Sequence, residues 1–264
     1  MIISASYRTD IPAFHTAWLA DCLEKGTVAV PNPYGGPASV VDLSPAAVSG
    51  WVFWTRNPRP LAPLLRRLAA PVVIQMTILD YNRALDRAVP QAEAQVAAFR
   101  EFAQALGPRA MVWRYDPILW AEGIDHRQRF AGLARALAGA TDEVVVSILH
   151  PYRRTRIGLA RRGVVWREPS PAEVSDLVLD LASEAARHGM RLSLCSQPQH
   201  HTKEVAAHVA PARCIDAERL GVTAPTRGNR PGCLCAAARD IGRYDTCPHG
   251  CAYCYANRPV PARS

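Results

Sequence analysis

Short apolar runs rich in β-branched residues alternate along this chain with longer segments in which apolar residues recur at helical spacing. The short runs predict strands at 2–6, 51–55, 72–78, 110–115, 143–149 and 190–195, with another near 214–215. The longer segments predict helices at 13–25, 60–69, 90–106, 127–138, 170–189 and 203–209. An extended piece at 27–30 leads into a loop rich in proline and glycine.

This alternation of strands and helices is typical of a parallel sheet with helices packed outside it. No glycine-rich dinucleotide fingerprint follows the first strand, which disfavours a doubly wound sheet. We therefore predict an α/β fold over residues 1–226, a full or partial TIM-like (β/α) barrel. Residues 227–264 are rich in Gly, Pro and Cys and lack apolar periodicity, so we expect a cysteine-rich tail that caps the barrel mouth.

The composition of the 264 residues, 49% hydrophobic and 20% charged, is ordinary for a globular protein. No apolar run reaches the roughly 18 residues of a membrane span, and no secretory signal is recognisable, so we expect a cytoplasmic protein without a membrane partner. Eight cysteines in such a compartment favour metal or redox chemistry over disulfides. The net charge of +8 suits a nucleic-acid partner, but nearly all the basic residues are arginine, which favours a genomic bias.

The predicted strands end in polar residues, and in (β/α) barrels those ends carry the active site. The first and fourth strands lead into four charged residues that we expect to act as catalytic residues holding a carboxylate, a ribose or a phosphate: Arg8, Asp10, Arg114 and Asp116. The alternative is that they pair with one another and close the loops. The second and third strands offer candidate cofactor contacts, although such residues also cap turns: Thr55, Asn57, Gln75 and Thr77.

A basic run at 153–156, followed by Arg161 and Arg162, comes after the fifth predicted strand. We expect it to be a solvated loop, with phosphate binding as the alternative.

Three cysteines near the end of the chain, Cys247, Cys251 and Cys254, follow the spacing C-x3-C-x2-C. Three thiolates on one tight loop can hold three irons of a 4Fe–4S cube and leave the fourth iron open to a small molecule. The alternative is a structural zinc site, since zinc also binds clustered cysteines.

Four other cysteines are candidates for a second metal site: Cys195, Cys214, Cys233 and Cys235. Two of them end strand-like segments and two form a C-x-C pair in the tail, so all four can meet above the barrel mouth. Four thiolates complete the ligand set of an auxiliary 4Fe–4S cluster, and zinc is the alternative. Cys22 lies within a predicted helix, where a buried thiol is the simpler interpretation.

The run Cys-Pro-His-Gly-Cys-Ala-Tyr-Cys-Tyr-Ala at 247–256 resembles the cluster loop of radical S-adenosylmethionine (SAM) enzymes, especially those similar to spore photoproduct lyase. The resemblance implies a 4Fe–4S cluster and SAM as cofactors, Tyr253 near the adenine, and a reductant such as flavodoxin or ferredoxin. In those enzymes the loop usually follows the first barrel strand, whereas here it lies at the other end of the chain. The last and first strands of a barrel can be neighbours, so the loop can still cap the same mouth.

From end to end the chain resembles an uncharacterised bacterial family, domain of unknown function eighteen forty-eight, in its segments 2–12, 52–58 and 233–257. That resemblance implies no reaction. The sequence therefore predicts a radical SAM enzyme acting on an unidentified small molecule or nucleic acid. The alternatives are an electron-transfer or non-catalytic iron–sulfur protein, and a zinc-stabilised barrel that hydrolyses or binds a phosphorylated or nucleic-acid ligand.

Overall fold

The computed structural model describes residues 1–259, within which ten strands and eight α-helices form. The strands are β1 (Ile2–Ala5), β2 (Thr27–Val30), β3 (Ser39–Asp42), β4 (Gly50–Thr55), β5 (Val72–Thr77), β6 (Met111–Ile118), β7 (Glu143–Ile148), β8 (Arg191–Leu194), β9 (Ala210–Pro211) and β10 (Ala238–Asp240). The helices are α1 (Ile11–Phe14), α2 (Thr16–Lys25), α3 (Ala62–Leu65), α4 (Ala92–Leu106), α5 (His126–Leu137), α6 (Arg153–Arg161), α7 (Pro171–Arg187) and α8 (Lys203–Ala206).

Eight strands form one sheet in the order β10-β1-β4-β5-β6-β7-β8-β9, and every neighbouring pair is parallel. The predicted α/β class with a parallel sheet is confirmed. β2 and β3 form a separate antiparallel hairpin. Within residues 1–259, no helix has the length and apolar character needed to cross a lipid bilayer.

Both faces of the sheet are buried, as expected for parallel strands. Large side chains on one face pack beneath the helices: Trp51, Phe53, Trp113 and Tyr115. Smaller side chains on the other face, including Ile2, Val52, Val73, Val112 and Val145, contact apolar residues of the segment 212–236. The chain therefore folds back over its own sheet, and the first residues of the tail take part in this cover.

The tail joins the sheet through β10, which pairs with β1 so that Ile2 lies opposite Ala238 and Ser4 opposite Asp240. This pairing carries the residues after Asp240 to the edge of the sheet at which the parallel strands end. The cysteines near the end of the chain therefore lie beside the turns that follow the strands.

Several predicted elements differ from those observed. The predicted helix 13–25 is split at His15 into α1 and α2, and the predicted helix 60–69 is a 3-10 turn followed by α3. The short strand expected at 214–215 is instead β9, four residues earlier. Cys214 and Ile215 are not part of a strand, because the chain crosses the face of the sheet here. Gln75 Nε2 donates to the Cys214 carbonyl at 2.9 Å.

The basic run expected to be a solvated loop is the helix α6, so that prediction was wrong. The helix forms because one side of it is buried, with Thr155, Gly158 and Leu159 packed inward while the arginines point outward. Two of its arginines form ion pairs: Arg154 with Asp245 at 2.8 Å and Arg156 with Glu168 at 3.1 Å.

Candidate functional site

The segment 247–254, called here the cysteine loop, is fastened to the turn after β1 by Asp10. The carboxylate of Asp10 caps α1 by accepting from Ala13 N at 2.9 Å. It also accepts from Thr55 Oγ1 and from Arg56 N, both at 2.7 Å, and so joins the ends of β1 and β4. His249 Nε2, from the cysteine loop, donates to Oδ2 of the same carboxylate, the oxygen that also accepts from Arg56 N, at 2.9 Å. Asp10 therefore holds two strand ends and the cysteine loop together.

A buried ion pair between Arg56 and Asp86 holds the other end of the loop. Tyr253 donates its hydroxyl proton to Asp86 Oδ1 at 2.5 Å, and Arg56 NH1 lies 3.3 Å from Asp86 Oδ2. Arg56 also contacts the Tyr253 hydroxyl. Burial raises the pKa of Tyr253 well above its usual range, so the phenol stays neutral and remains a donor. In this arrangement Tyr253 anchors the loop, and its expected contact with an adenine stays a prediction.

Helix α6 also packs against the cysteine loop, at a point where their backbones are in contact. Thr155 Oγ1 donates to the Tyr253 carbonyl at 3.2 Å, and Ala252 N donates to Leu85 O at 2.8 Å. A Cβ atom on Gly158 would lie 2.1 Å from the Ala252 carbonyl oxygen, far inside van der Waals contact. Only glycine allows this approach, so the sequence of α6 is fitted to the cysteine loop.

The three cysteines of the loop are free and half-buried. Cys254 N donates to Cys251 O at 3.2 Å, and Asn257 bridges the ends by accepting from Cys247 N at 3.0 Å and donating to Cys254 Sγ at 3.5 Å. Burial raises the pKa of Cys251 well above its usual range, and the charges of Asp86, Cys254 and Cys247 add to the effect. Asn257 and one backbone hydrogen bond therefore link the three cysteines to one another.

The other predicted ligands also meet, as a four-cysteine group made of Cys195, Cys214, Cys233 and Cys235. Cys214 Sγ lies 3.4 Å from Cys195 Sγ. Cys195, Cys214 and Cys235 belong to one cluster of buried side chains, against which Cys233 packs. The neighbouring side chain of Cys235 lowers the pKa of Cys233 to about 5. The contact with Cys195 lowers the pKa of Cys214, but the neighbouring Cys235 and burial outweigh it and raise the pKa to about 11.

Three N–H groups point at sulfurs of the four-cysteine group. Arg114 NH1 lies 3.1 Å from Cys214 Sγ, and Arg230 NH2 lies 3.3 Å from Cys195 Sγ. The backbone N–H of Ile215 donates to Cys235 Sγ at 3.4 Å. Such donors stabilise negative charge on sulfur, as they do around metal-bound thiolates.

Neither cysteine set forms a closed coordination shell. Across residues 1–259, no group of three or more His, Cys, Asp or Glu side chains is arranged so that it could hold a metal ion. The case for a metal therefore rests on the chemistry of the cysteines and on the residues that support them.

The four charged residues predicted to act together at the strand ends separate into three groups. Asp10 belongs to the support of the cysteine loop. Arg8 Nε lies 3.7 Å from Asp240 Oδ1, and its guanidinium lies 5.2 Å from the centre of the Tyr244 ring. Arg114 pairs with Asp116, which also accepts from Ser147 Oγ. Arg114 and Asp116 are thus in direct contact with each other. Neither is in direct contact with Arg8 or Asp10.

The residues expected to bind a cofactor fall near both cysteine sets. Thr55 contacts Asp10 beside the cysteine loop, and Asn57 Oδ1 caps the following turn by accepting from Arg59 N at 3.3 Å. Gln75 supports the Cys214 carbonyl, and Thr77 is the register partner of Arg114 in the sheet.

Sequence reasoning missed the residue that fastens the tail to β1. Asp240 is 8% exposed and accepts from Ser4 Oγ at 2.8 Å, Ser6 Oγ at 2.7 Å, Gly242 N at 3.0 Å and Tyr7 N at 3.1 Å. The available signal was the pair of serines at alternate positions of an otherwise apolar strand. Asp86 and His249 were missed as well, because their partners lie far away in sequence.

Comparison with known proteins places the chain in a family without assigning it a reaction. No curated protein and no solved structure is significantly similar to it. A family model described as Domain of unknown function (DUF1848) matches residues 2–256, which is nearly the whole chain and includes both cysteine sets. The chain belongs to this DUF1848 family.

Proposed function

We propose that this protein is a radical SAM enzyme in which Cys247, Cys251 and Cys254 hold a 4Fe–4S cluster. The observation that carries the proposal is the cysteine loop itself: three free thiols within the segment 247–254, which is tied to the ends of several strands. Thiolates are the ligands of such clusters, and three of them leave one iron open for SAM. The likeness of the run 247–256 to the radical SAM cluster loop supports the same proposal.

Reduced by a flavodoxin or ferredoxin, such a cluster supplies the electron that cleaves SAM and so starts hydrogen abstraction from a substrate. The chain's own residues then have distinct tasks. Asp10 and Asp86 keep the loop in place through His249 and Tyr253. Arg114 and Asp116 are the best candidates to orient polar groups of the substrate, because Asp116 keeps part of its side chain exposed.

We propose a metal at the four-cysteine group as well, with an auxiliary 4Fe–4S cluster as the first candidate. Zinc is the second candidate, and a specific distance favours it. The 3.4 Å between Cys195 and Cys214 is close to the edge of a zinc–thiolate tetrahedron, about 3.8 Å for a Zn–S bond of about 2.3 Å. A cube spreads its cysteine sulfurs further apart, so loading a cluster would require this pair to open.

We also propose that the sheet closes into a barrel between β9 and β10. Ala236 N, just before β10, donates to Ile215 O, just after β9, at 2.8 Å. A closed barrel would keep the covered face of the sheet, with Gln75 and Arg114, away from bulk solvent. All eight cysteines are free, and for that reason we propose a reducing compartment, the cytoplasm.

Formation of 5′-deoxyadenosine tests the function. Protein purified without oxygen, with iron and sulfide restored, is reduced in the presence of SAM, and 5′-deoxyadenosine is quantified by chromatography. We expect product from the wild type, none from Cys254→Ser, and wild-type yield from Cys22→Ser, which alters a helix thiol outside both cysteine sets. The proposal is overturned if iron-loaded wild type gives no product, or if Cys254→Ser gives as much as wild type.

A further inference from the structure

A continuous row of aromatic rings crosses the strand-end edge of the sheet beside Cys254. The rings of Trp54 and Tyr7 lie 6.4 Å apart, and Tyr255 donates its hydroxyl proton to Tyr7 O at 3.3 Å. The ring of Tyr152 lies 5.5 Å from Tyr255 and 4.3 Å from His150. Tyr244 joins the row through Arg8, whose guanidinium lies 5.6 Å from the centre of the Tyr7 ring and 5.2 Å from that of the Tyr244 ring. This aromatic row consists of Tyr7, Trp54, His150, Tyr152, Tyr244 and Tyr255.

The row presents ring surface to solvent. Tyr152 is 41% exposed, Tyr255 43% and Tyr244 36%. Single exposed apolar residues are ordinary, but three exposed rings on one edge form a surface suited to a flat partner. The site of the proposed chemistry lies next to it, since Tyr255 follows Cys254 directly in the chain.

Arginines are interleaved with the rings. Arg153 follows Tyr152 and Arg243 precedes Tyr244; both are exposed, and neither forms an ion pair within residues 1–259. Arg230 is a third exposed arginine at this edge, where its NH2 lies 3.3 Å from Sγ of Cys195, the residue after β8. The surface therefore combines π faces with positive charge, on a chain whose net charge is +8.

We infer that the aromatic row binds single-stranded nucleic acid. Bases stack on Tyr152 and Tyr255, and phosphates contact Arg153, Arg230 and Arg243. Aromatic platforms bordered by cations are the common means of binding single strands, because every base has a π face and every nucleotide carries a phosphate. A duplex hides its base faces, so the row favours a single strand over a duplex. Binding of the single strand does not depend on the proposed function. Only the further step, in which a bound nucleotide is the substrate of the proposed radical enzyme, rests on that function.

Equilibrium binding of a fluorescent oligonucleotide of about 12 nucleotides, read by anisotropy, tests the inference without turnover. The full chain is purified anaerobically and titrated into the single strand, into the matching duplex, and into the single strand with a mononucleotide competitor. We expect tighter binding of the single strand than of the duplex and little competition by the mononucleotide. With three phosphate contacts, the logarithm of the association constant should fall with the logarithm of salt concentration at a slope of about −2.

Two pairs of variants separate stacking from general charge. Tyr152→Ala should weaken binding at least about fivefold, while Tyr152→Phe keeps the ring and should retain wild-type affinity. Arg243→Ala should weaken binding and reduce the salt slope by about 0.7. Arg135→Ala removes the same charge from an exposed arginine in the last turn of α5, near the opposite ends of the strands, and should change neither.

Failure to bind the single strand, or equal effects of the two Tyr152 variants, overturns the inference. Equal affinity for duplex and single strand, or full competition by the mononucleotide, overturns it as well. These outcomes are distinguishable from failure of the proposed function. A protein that forms 5′-deoxyadenosine but binds no oligonucleotide would support the proposed function and rule out this substrate class. A protein that binds the oligonucleotide but forms no 5′-deoxyadenosine would rule out the proposed function and support the binding inference.

Discussion

His249 Nε2 lies 2.9 Å from Asp10 Oδ2, although the two residues are 239 positions apart in the chain. The contact joins a residue between two candidate metal ligands to the turn that follows the first strand. Both side chains are almost fully buried, so solvent does not compete for this bond. The position of the cysteine loop therefore depends on a residue near the N-terminus that binds no metal itself.

Asp10→Ala should destabilise the fold by about 3 kcal/mol or more, because it leaves the donors at Thr55, Arg56 and His249 without their shared acceptor. The free energy of unfolding from urea titrations measures this loss. Asp125→Ala is a matched control: Asp125 also caps a helix, but it is exposed and accepts only from Gln128 N, so the expected loss is about 1 kcal/mol. Equal losses in the two variants would contradict the role of Asp10 as a shared anchor.

Gly158→Ala should displace the cysteine loop, because the added Cβ would lie 2.1 Å from the Ala252 carbonyl oxygen. We expect a lower melting temperature and weaker retention of iron after anaerobic reconstitution. Gly132→Ala is the matched control within α5, where an added Cβ meets nothing within 4 Å. That change should be neutral or stabilising by up to about 1 kcal/mol, since alanine favours the helix. An unaltered melting temperature and iron content in Gly158→Ala would refute the close contact.

His126 should make stability fall in mild acid. Its neutral ring accepts from Tyr115 at Nδ1 and donates from Nε2 to Leu119 O at 3.0 Å, and burial lowers its pKa to about 4. In the unfolded chain the histidine pKa is about 6.5, so between the two pKa values the unfolded chain binds a proton here and the folded chain does not. Stability is therefore full above about pH 6.5 and declines as the pH falls toward 4.

Between pH 7.5 and pH 5 this residue should account for a loss of about 2 kcal/mol in the free energy of unfolding. In His126→Gln, urea titrations at the two pH values should show that this part of the difference has disappeared. A wild-type difference that persists unchanged in the variant would assign the acid sensitivity to other groups.

The local pattern of the chain predicted most strands of the sheet, because parallel strands buried on both faces are continuous apolar runs. It missed β10, whose residues Ala238 and Arg239 are exposed and whose pairing with β1 depends on a partner at the other end of the chain. It missed α6 because the buried side of that helix is only a threonine, a glycine and a leucine among arginines. Short elements held by long-range contacts carry little local signal.

The candidate site, too, was only partly predictable from local sequence. The spacing of the cysteines was visible in the sequence, and so was the polar character of the strand ends. The sequence did not reveal that Asp10 supports His249 or that Asp86 supports Tyr253, because buried ion pairs and hydrogen bonds form between segments that only the fold brings together. Arg8 was grouped with Arg114 for a similar reason: both were expected at strand ends. Arg8 follows β1 and turns toward Asp240, whereas Arg114 lies within β6 and points toward Cys214.

The central claim is that Cys247, Cys251 and Cys254 hold a cluster with one iron open to SAM. Low-temperature electron paramagnetic resonance of the anaerobic, reduced protein, recorded before and after addition of SAM, tests it most directly. We predict the signal of a reduced 4Fe–4S cluster that changes when SAM is added, is lost in the triple alanine variant of these cysteines, and survives alanine substitution of Cys233 and Cys235. A protein without a cluster signal, or with one that is indifferent to SAM, would contradict the account.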